Sequence, residues 1–329
     1  MAAAGGALIV PSAPALWIEA TGAARLRDTA YAAGPRDVEV ATLFSGISRG
    51  TERLVFEGRV PEAEADRMRA PFQEGGFGFP VKYGYSAVGR VVAGPEALQG
   101  HIVFVLHPHQ ARFACPAEAA LPVPDAVPPG RAILAANMET ALNVIWDAGA
   151  GPGDRITVVG AGVVGALTAW LAARLPGAEV TLVDIDADKA ALAGALGCAF
   201  APPDAVAPTA DVVIHASGSG PGLATALAAA AREATVVEAS WHGTAPVTLP
   251  LGGAFHSQRL RIVSSQVGAL PADRAPRWTF ARRLAKALSL LSDPALDALI
   301  TGQTALADLP QRYGDILADP GTLCHRVSY

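Results

Sequence analysis

The sequence predicts an α/β chain in which a doubly wound parallel sheet is accompanied by a β-rich part. Three observations carry this. Up to about Gly130 the chain alternates short β-type runs with turns. From about Arg155 onward strands and helices take turns, and a glycine cluster stands at the first strand–helix junction.

In the N-terminal part, ALWIEA, AARLRDTAY and DVEVATLFS have the β-branched and aromatic content of strands, and Gly34-Pro35 marks a turn before the third. SAVGRVVAG, HIVFVL and ARFACPAE continue the pattern. The segment from Arg59 to Tyr83, with its FQEGGFGF run, is longer than a simple connection and reads equally as a substrate lid or a surface loop. The first helical signal covers Ala132 to Ala148 and is stopped by Gly149, Gly151 and Gly153. Then ITVVG is followed by the helix VVGALTAWLAARL, EVTLVDI by DADKAALAGALG, and DVVIHAS by GLATALAAAAR. TVVEAS and RLRIVSSQ supply further strands. Strands apolar on both faces and alternating with helices form a parallel sheet covered on both sides. After Gly268 the alternation stops; a helix in RWTFARRLAKALSLLSD and a mixed tail follow.

The 329 residues suggest two domains and suffice for a large core without staples. With 51% hydrophobic and 17% charged residues the composition is globular, and a net charge of −5 with no Lys/Arg run argues against nucleic acid as a partner. Cys115, Cys198 and Cys324 are too few and too scattered for a disulfide framework or a zinc knot. Residues 1–15 lack the charge and apolar run of a secretory signal, so a cytoplasmic location is expected. The uncharged run from Ile156 to Ala173 is just long enough for a membrane span of roughly 18 residues. Its glycines, and Asp154, Arg155 and Arg174 around it, instead mark a strand–turn–helix unit, so no membrane association is expected.

Gly160-Ala161-Gly162-Val163-Val164-Gly165 follows a strand and opens a helix, which is the context dinucleotide binding requires. Gly160 permits the tight turn, Gly162 admits a pyrophosphate to the backbone, and Gly165 lets helix and strand pack closely. Val163 and Val164 open the helix, whose free N–H groups and positive dipole end suit phosphate. Asp184 ends the next strand, where a carboxylate accepts hydrogen bonds from a ribose 2′-OH and repels a 2′-phosphate. Ile185 follows, where NADP-preferring enzymes often place Arg or Ser. The cofactor expected is therefore NAD(H).

The runs GDRITVVGAGVVG, DIDADKAALAGALG and HASGS resemble the coenzyme domain of the medium-chain dehydrogenase/reductase superfamily, the alcohol dehydrogenase-like enzymes. The tail ALDALITGQTALADLPQRYGDIL is similar to that family's C-terminal segment, in which the catalytic domain resumes. SGISRGTE and YGYSAVGRVV stand where members carry a GIC-type zinc motif and a GHExxGxV motif, and SGISRGTERLVFEGR is most similar to the bacteriochlorophyllide dehydrogenase-like branch. The resemblance implies a GroES-like catalytic domain over 1–133, a Rossmann domain over 134–267, and the C-terminal part of the catalytic domain over 268–329. It also places Arg49 at the pyrophosphate, Thr140 at the nicotinamide and Lys189 at the adenosine ribose. Ser217 and Gly218 fall on the adenosine side, and Glu238, Ser240, Ser264 and Gln266 flank the carboxamide.

The departures concern the metal. The cysteine ligand position is Ser48, the histidine position Tyr85, the following glutamate position Ser86, and the third ligand falls near Ala135 or Ala136. Catalytic zinc needs about three Cys, His or carboxylate ligands, so no metal and no zinc are expected there. His107 and His109 read as loop residues. Without zinc, an oxygen gaining negative charge needs another electrophile or proton donor. Tyr85, Ser48 and Glu52 are the expected catalytic residues, with Lys82 as a cation able to lower the Tyr85 pKa and Tyr83 as a further titratable neighbour. These readings point to an enzyme of the EC 1.1.1 kind acting on a small-molecule secondary alcohol or ketone. Two alternatives stay open: an enoyl or quinone reductase acting on an activated C=C bond, and a non-catalytic NAD-binding protein. A homodimer is also left open.

Overall fold

The computed structural model describes residues 10–329. The N-terminal part contains strands β1 (Ser12–Ala20), β2 (Ala23–Ala30) and β3 (Asp37–Ser48), helix α1 (Arg49–Phe56), strands β4 (Glu74–Gly75), β5 (Val81–Lys82), β6 (Ala87–Ala93), β7 (Ile102–Val105), β8 (Arg112–Pro116) and β9 (Leu121–Pro122), and helices α2 (Pro129–Ala132) and α3 (Ala135–Ala148). Then come β10 (Arg155–Val159), α4 (Val163–Ala172), β11 (Glu179–Val183), α5 (Lys189–Leu196), β12 (Ala199–Ala201), β13 (Ala210–His215), α6 (Gly220–Ala229), β14 (Ala230–Glu238), α7 (Ala254–Ser257), β15 (Arg261–Ser264) and α8 (Phe280–Leu290). Strand β16 (Ile300–Ala305), helix α9 (Leu309–Ala318) and strand β17 (Cys324–Ser328) complete the described chain.

The alternating segment forms a parallel sheet in the order β12-β11-β10-β13-β14-β15. Read from its first strand this is 3-2-1-4-5-6, the doubly wound dinucleotide-binding order, with the crossover between β10 and β13 where such sheets bind ligands. Ile156, Val158, Leu182, Val212 and Ile214 are buried in it under α4 and α5, as the apolar runs predicted. The Ile156–Ala173 run resolves into β10, the glycine turn and α4, and no helix among the described residues is long and apolar enough to cross a membrane. One boundary differs from the sequence reading. The helix expected through GLATALAAAAR ends at Ala229, and Ala230 already begins β14, because Ala230 pairs with Ala210 of β13. Sheet pairing here overrides alanine's helix preference.

The other large sheet runs β16-β17-β3-β6-β7-β9, with β8 also on β3. The C-terminal strand β17 thus returns to pair antiparallel with β3, placing Cys324 opposite Ser48. A smaller sheet, β2-β1-β5-β4, takes up the second half of the Arg59–Tyr83 segment, which is anchored through β4 and β5. Helix α8 docks on α3 through the buried Arg283, whose guanidinium bonds Glu139 at 3.0 Å, the Asn143 oxygen at 2.5 Å and the carbonyls of Val267 and Ala269. One side chain thereby ties two helices to the loop leaving β15.

Candidate active site and dinucleotide edge

Strand β3 ends at Ser48 and α1 begins at once, which turns Glu52 back under the strand end. Glu52 is fully buried, yet three donors reach its carboxylate. The Ser48 N–H donates at 2.7 Å, the Tyr313 hydroxyl from α9 at 2.7 Å, and His109 Nε2 at 3.0 Å. A carboxylate only accepts, so Nε2 carries the proton. His109 Nδ1 then faces the Ser45 hydroxyl at 2.7 Å, and Ser45 meets the Tyr329 hydroxyl at 2.8 Å. His109 can come this close because Gly84, at φ +118°, has no Cβ; one there would lie 2.9 Å from the imidazole. His107 and His109 lie, as expected, in the loop between β7 and β8, but both are buried: His109 fully, and His107 stacked on Phe113 with centroids 3.6 Å apart.

Tyr85 stands one residue beyond that glycine, half-buried, with its hydroxyl beside those of Ser48 and Thr51. The Ser48 oxygen accepts from Asn137 Nδ2 at 3.0 Å, which leaves its own proton free to donate. Burial, aided by the Glu52 charge, pushes the Tyr85 pKa up to about 12. Burial likewise raises Tyr83 and Tyr313 well above the usual phenol range. The expectation that Lys82 lowers the Tyr85 pKa is corrected. Lys82 is itself buried, bonded to Glu74 and to Gln110 at 2.6 Å, and burial depresses its own pKa. The phenols here are held in their proton-carrying form.

The donor set at this place does not fit zinc. Ser48 and Tyr85 are neutral hydroxyls, Ser86 donates to the Ile133 carbonyl at 2.5 Å, and Ala135 and Ala136 have no donor atom. Cys324 lies opposite Ser48, and burial with the Glu52 charge pushes its thiol pKa up to about 12.

At the other site, the turn between β10 and α4 packs directly on the strand end of β13. A Cβ at Gly160 (φ +107°) would stand 2.6 Å from the Ser217 N, and one at Gly165 would run into the Gly160 carbonyl. Around Gly162, which caps α4 in an extended conformation, nothing lies within 4 Å of a Cβ, so the turn is open. The Asp184 carboxylate accepts from the Ala161 N–H at 2.7 Å and the Asp186 N–H at 3.0 Å. Each oxygen keeps a further lone pair for a ribose hydroxyl. Ile185 beside it is 89% exposed, an uncovered apolar side chain at this edge. The residues present fit a dinucleotide.

The remaining expected contacts are spread out. Lys189 opens α5 and lies 3.8 Å from Asp186. Thr140 bonds back to the Ala136 carbonyl within α3, and Arg49 Nε is tied to the Leu317 carbonyl at the end of α9. Ser240 receives the Gly218 N–H at 3.0 Å, joining the ends of β13 and β14. Ser264 is exposed at the end of β15, and Gln266 lies 3.9 Å from the sulfur of Met68 in the Arg59–Tyr83 segment. Backbone also bridges there, since Thr244 N–H donates to the Arg59 carbonyl at 3.1 Å. Sequence reasoning missed Ser45, Asn137, Tyr313 and the exposed Tyr329 in this cluster, and read His109 only as a loop residue.

No family model matches the chain. Among solved structures, it is similar to L-idonate 5-dehydrogenase from Escherichia coli (TM-score 0.78, 14% identity, 97% of this chain and 98% of that one). A protein from Sinorhizobium meliloti named as a zinc-binding dehydrogenase and bound to NADP aligns with TM-score 0.76 at 20% identity, over 97% of this chain and 99% of that one. The 2R,3R-butanediol dehydrogenase of Bacillus subtilis aligns with TM-score 0.72 at 17% identity, over 96% and 99%. At such identities the likeness establishes the architecture: a Rossmann-type sheet joined to a GroES-like β-rich part.

Proposed function

We propose that this chain is a zinc-independent, NAD-linked oxidoreductase that moves a hydride between nicotinamide and a secondary alcohol or its ketone. The observation that carries this reading is an enclosed cluster of proton-bearing hydroxyls, Tyr85 and Ser48, standing where the motif comparison puts metal ligands, in a fold that also presents a glycine-cradled dinucleotide edge. Gly160, Gly162 and Gly165 would seat the pyrophosphate, with the amides of Val163 and Val164 at the helix start, and Asp184 the adenosine ribose. Bound there, NAD(H) supplies the hydride acceptor or donor.

The chain's own residues supply the proton chemistry. A carbonyl oxygen at Tyr85 receives a hydrogen bond from a phenol that stays protonated across the neutral range, and Ser48 adds a second donor. Glu52 bonds neither of these hydroxyls: its oxygens are taken by the Ser48 N–H, Tyr313 and His109, so it acts as a positioning residue that fixes the strand end. A phenol with so high a pKa favours the reductive direction, because near neutral pH it is present as the protonated donor and almost no phenolate is available to act as base in oxidation.

Steady-state assays with NADH and a panel of ketones and enones test this. Turnover of ketones is expected. Turnover of enones alone would replace it with C=C reduction, and NADH binding without any turnover would replace it with a non-catalytic role.

A further inference from the structure

The ends of β13 and β14 carry a second cluster of histidines and a carboxylate. His215 and Glu238 are direct partners in the parallel register, so their side chains project side by side. His215 Nδ1 lies 2.9 and 2.7 Å from the two Glu238 oxygens. His242 follows four residues later on the loop leaving β14, with its Nε2 3.3 Å from Glu238 Oε2. Its ring lies nearly parallel to that of His215, at 14° and 6.0 Å between centroids. One ligand atom from each of the three lies within 4.8 Å of the others, and among the described residues this is the group of three that does so.

The surroundings orient these atoms. Without an ion, His215 Nδ1 carries the proton that it donates to Glu238 at 2.7 Å; Ser217 Oγ sits 2.6 Å from His215 Nε2 and can accept the proton from Nε2 in the other tautomer, which frees Nδ1 to ligate. Metal-bound imidazoles are held this way, by a partner on the nitrogen that does not ligate. The Ser240 N–H donates to Glu238 Oε1 at 2.7 Å, which occupies one oxygen and presents the other between the two rings. Among the described residues, the hydrogen-bond partners of Glu238 are the two histidines and that amide. His215 is fully buried, while the side chains of Glu238 and His242 are 16% and 17% exposed, so the cluster opens on one side. An ion about 2.0–2.2 Å from each of three tetrahedral ligands spaces them by about 3.3–3.5 Å. Glu238 lies 2.7 Å from His215 and 3.3 Å from His242, so an ion would widen the first separation by several tenths of an ångström, and His242, on a loop, can adjust to it.

We propose that His215, Glu238 and His242 form a binding site for a divalent transition ion of the zinc and cobalt class, with a fourth position open to water. Two imidazoles and one carboxylate select such ions over magnesium or calcium, which prefer all-oxygen shells. The three ligands do not include Ser48 or Tyr85; Glu238 is also an expected carboxamide contact, so the metal is titrated without NADH or substrate and the proposal does not rest on the oxidoreductase reading.

The experiment is a Co²⁺ titration of chelator-treated full-length protein, followed by visible ligand-field absorption. One ion per chain is expected, with bands of a four-coordinate site and no displacement by excess Mg²⁺. His242→Ala and Glu238→Gln each remove a ligand on the open side and should abolish the bands, with folding checked by circular dichroism. Ser217→Ala keeps all three ligands and should weaken binding about 10–100-fold. Absence of bands in the parent protein, or an unchanged titration in His242→Ala, overturns the site. Should a ligand variant fail to fold, the Ser217→Ala titration decides: unchanged affinity there also overturns it.

Discussion

Glu52 with His109, and Glu238 with His215 and His242, are built from the same residue types at comparable distances, but the first pair is sealed and the second cluster opens to solvent. Around Glu52 the lone pairs are met by protein donors from β3, α9 and the His109 segment, so nothing can exchange there and the carboxylate can only hold neighbours in place. Around Glu238 one oxygen is fixed by backbone and the other faces imidazoles that can release it. The difference shows that a buried carboxylate's role follows from who occupies its lone pairs rather than from its residue type.

Breaking each cluster should separate them by size of effect. Glu52→Ala strips the shared acceptor from three buried donors and should lower stability by about 3–5 kcal/mol in urea unfolding. Glu238→Ala should lose about 1–3 kcal/mol, because only His215 is left buried without its partner while His242 can turn to water. Equal losses would mean that the second cluster is as closed as the first.

Next in size is Tyr85→Phe, which preserves shape and removes one proposed donor. Ketone reduction should slow by roughly 10²–10³, with NADH affinity unchanged. A rate within about threefold of the parent would reduce Tyr85 to packing.

At the dinucleotide edge, Asp184→Ser should erase a preference for NADH over NADPH on the order of 1–3 kcal/mol, read by calorimetry with both cofactors. Discrimination that survives the substitution would place its source elsewhere.

The smallest effect is on alkaline stability. Tyr85, Tyr83 and Tyr313 have pKa values raised above the unfolded value near 10. Folding therefore favours their protonated forms, and that contribution is complete below about pH 10 and lost as pH rises from there through the folded values. Urea midpoints should hold to about pH 10 and then fall. In Glu52→Gln the Tyr85 value should drop, because the charge that helps raise it is gone; an unchanged ultraviolet phenol titration would exclude that coupling.

The two sites differ as much in how far the sequence revealed them. The dinucleotide edge is local: Gly160 to Gly165 and Asp184 sit in consecutive elements, and strand–helix alternation exposes the sheet order. The buried cluster gathers Ser45, Glu52, His109, Asn137, Tyr313 and Tyr329 from five separate stretches, so no short spacing announces it. Glu52 was legible through its place in the SGISRGTE run, but its histidine partner looked like loop polarity, because only the fold brings Gly84 against His109. The His215–Glu238 pair hid in the same way: its residues are neighbours in the sheet register and not in the chain.

Pairing of β17 with β3 also bears on how the chain is made. Residues 44–48 wait for residues 324–328 before their strand edge is covered. With ribosomes adding roughly 5–20 residues per second, that edge stays bare for roughly 15–55 seconds. Throughout this time an apolar strand lacks its partner, the condition under which edges recruit other chains. Synthesis in cells should therefore engage chaperones early, and the parallel-sheet part should become protease-resistant while the N-terminal part is still open to cleavage.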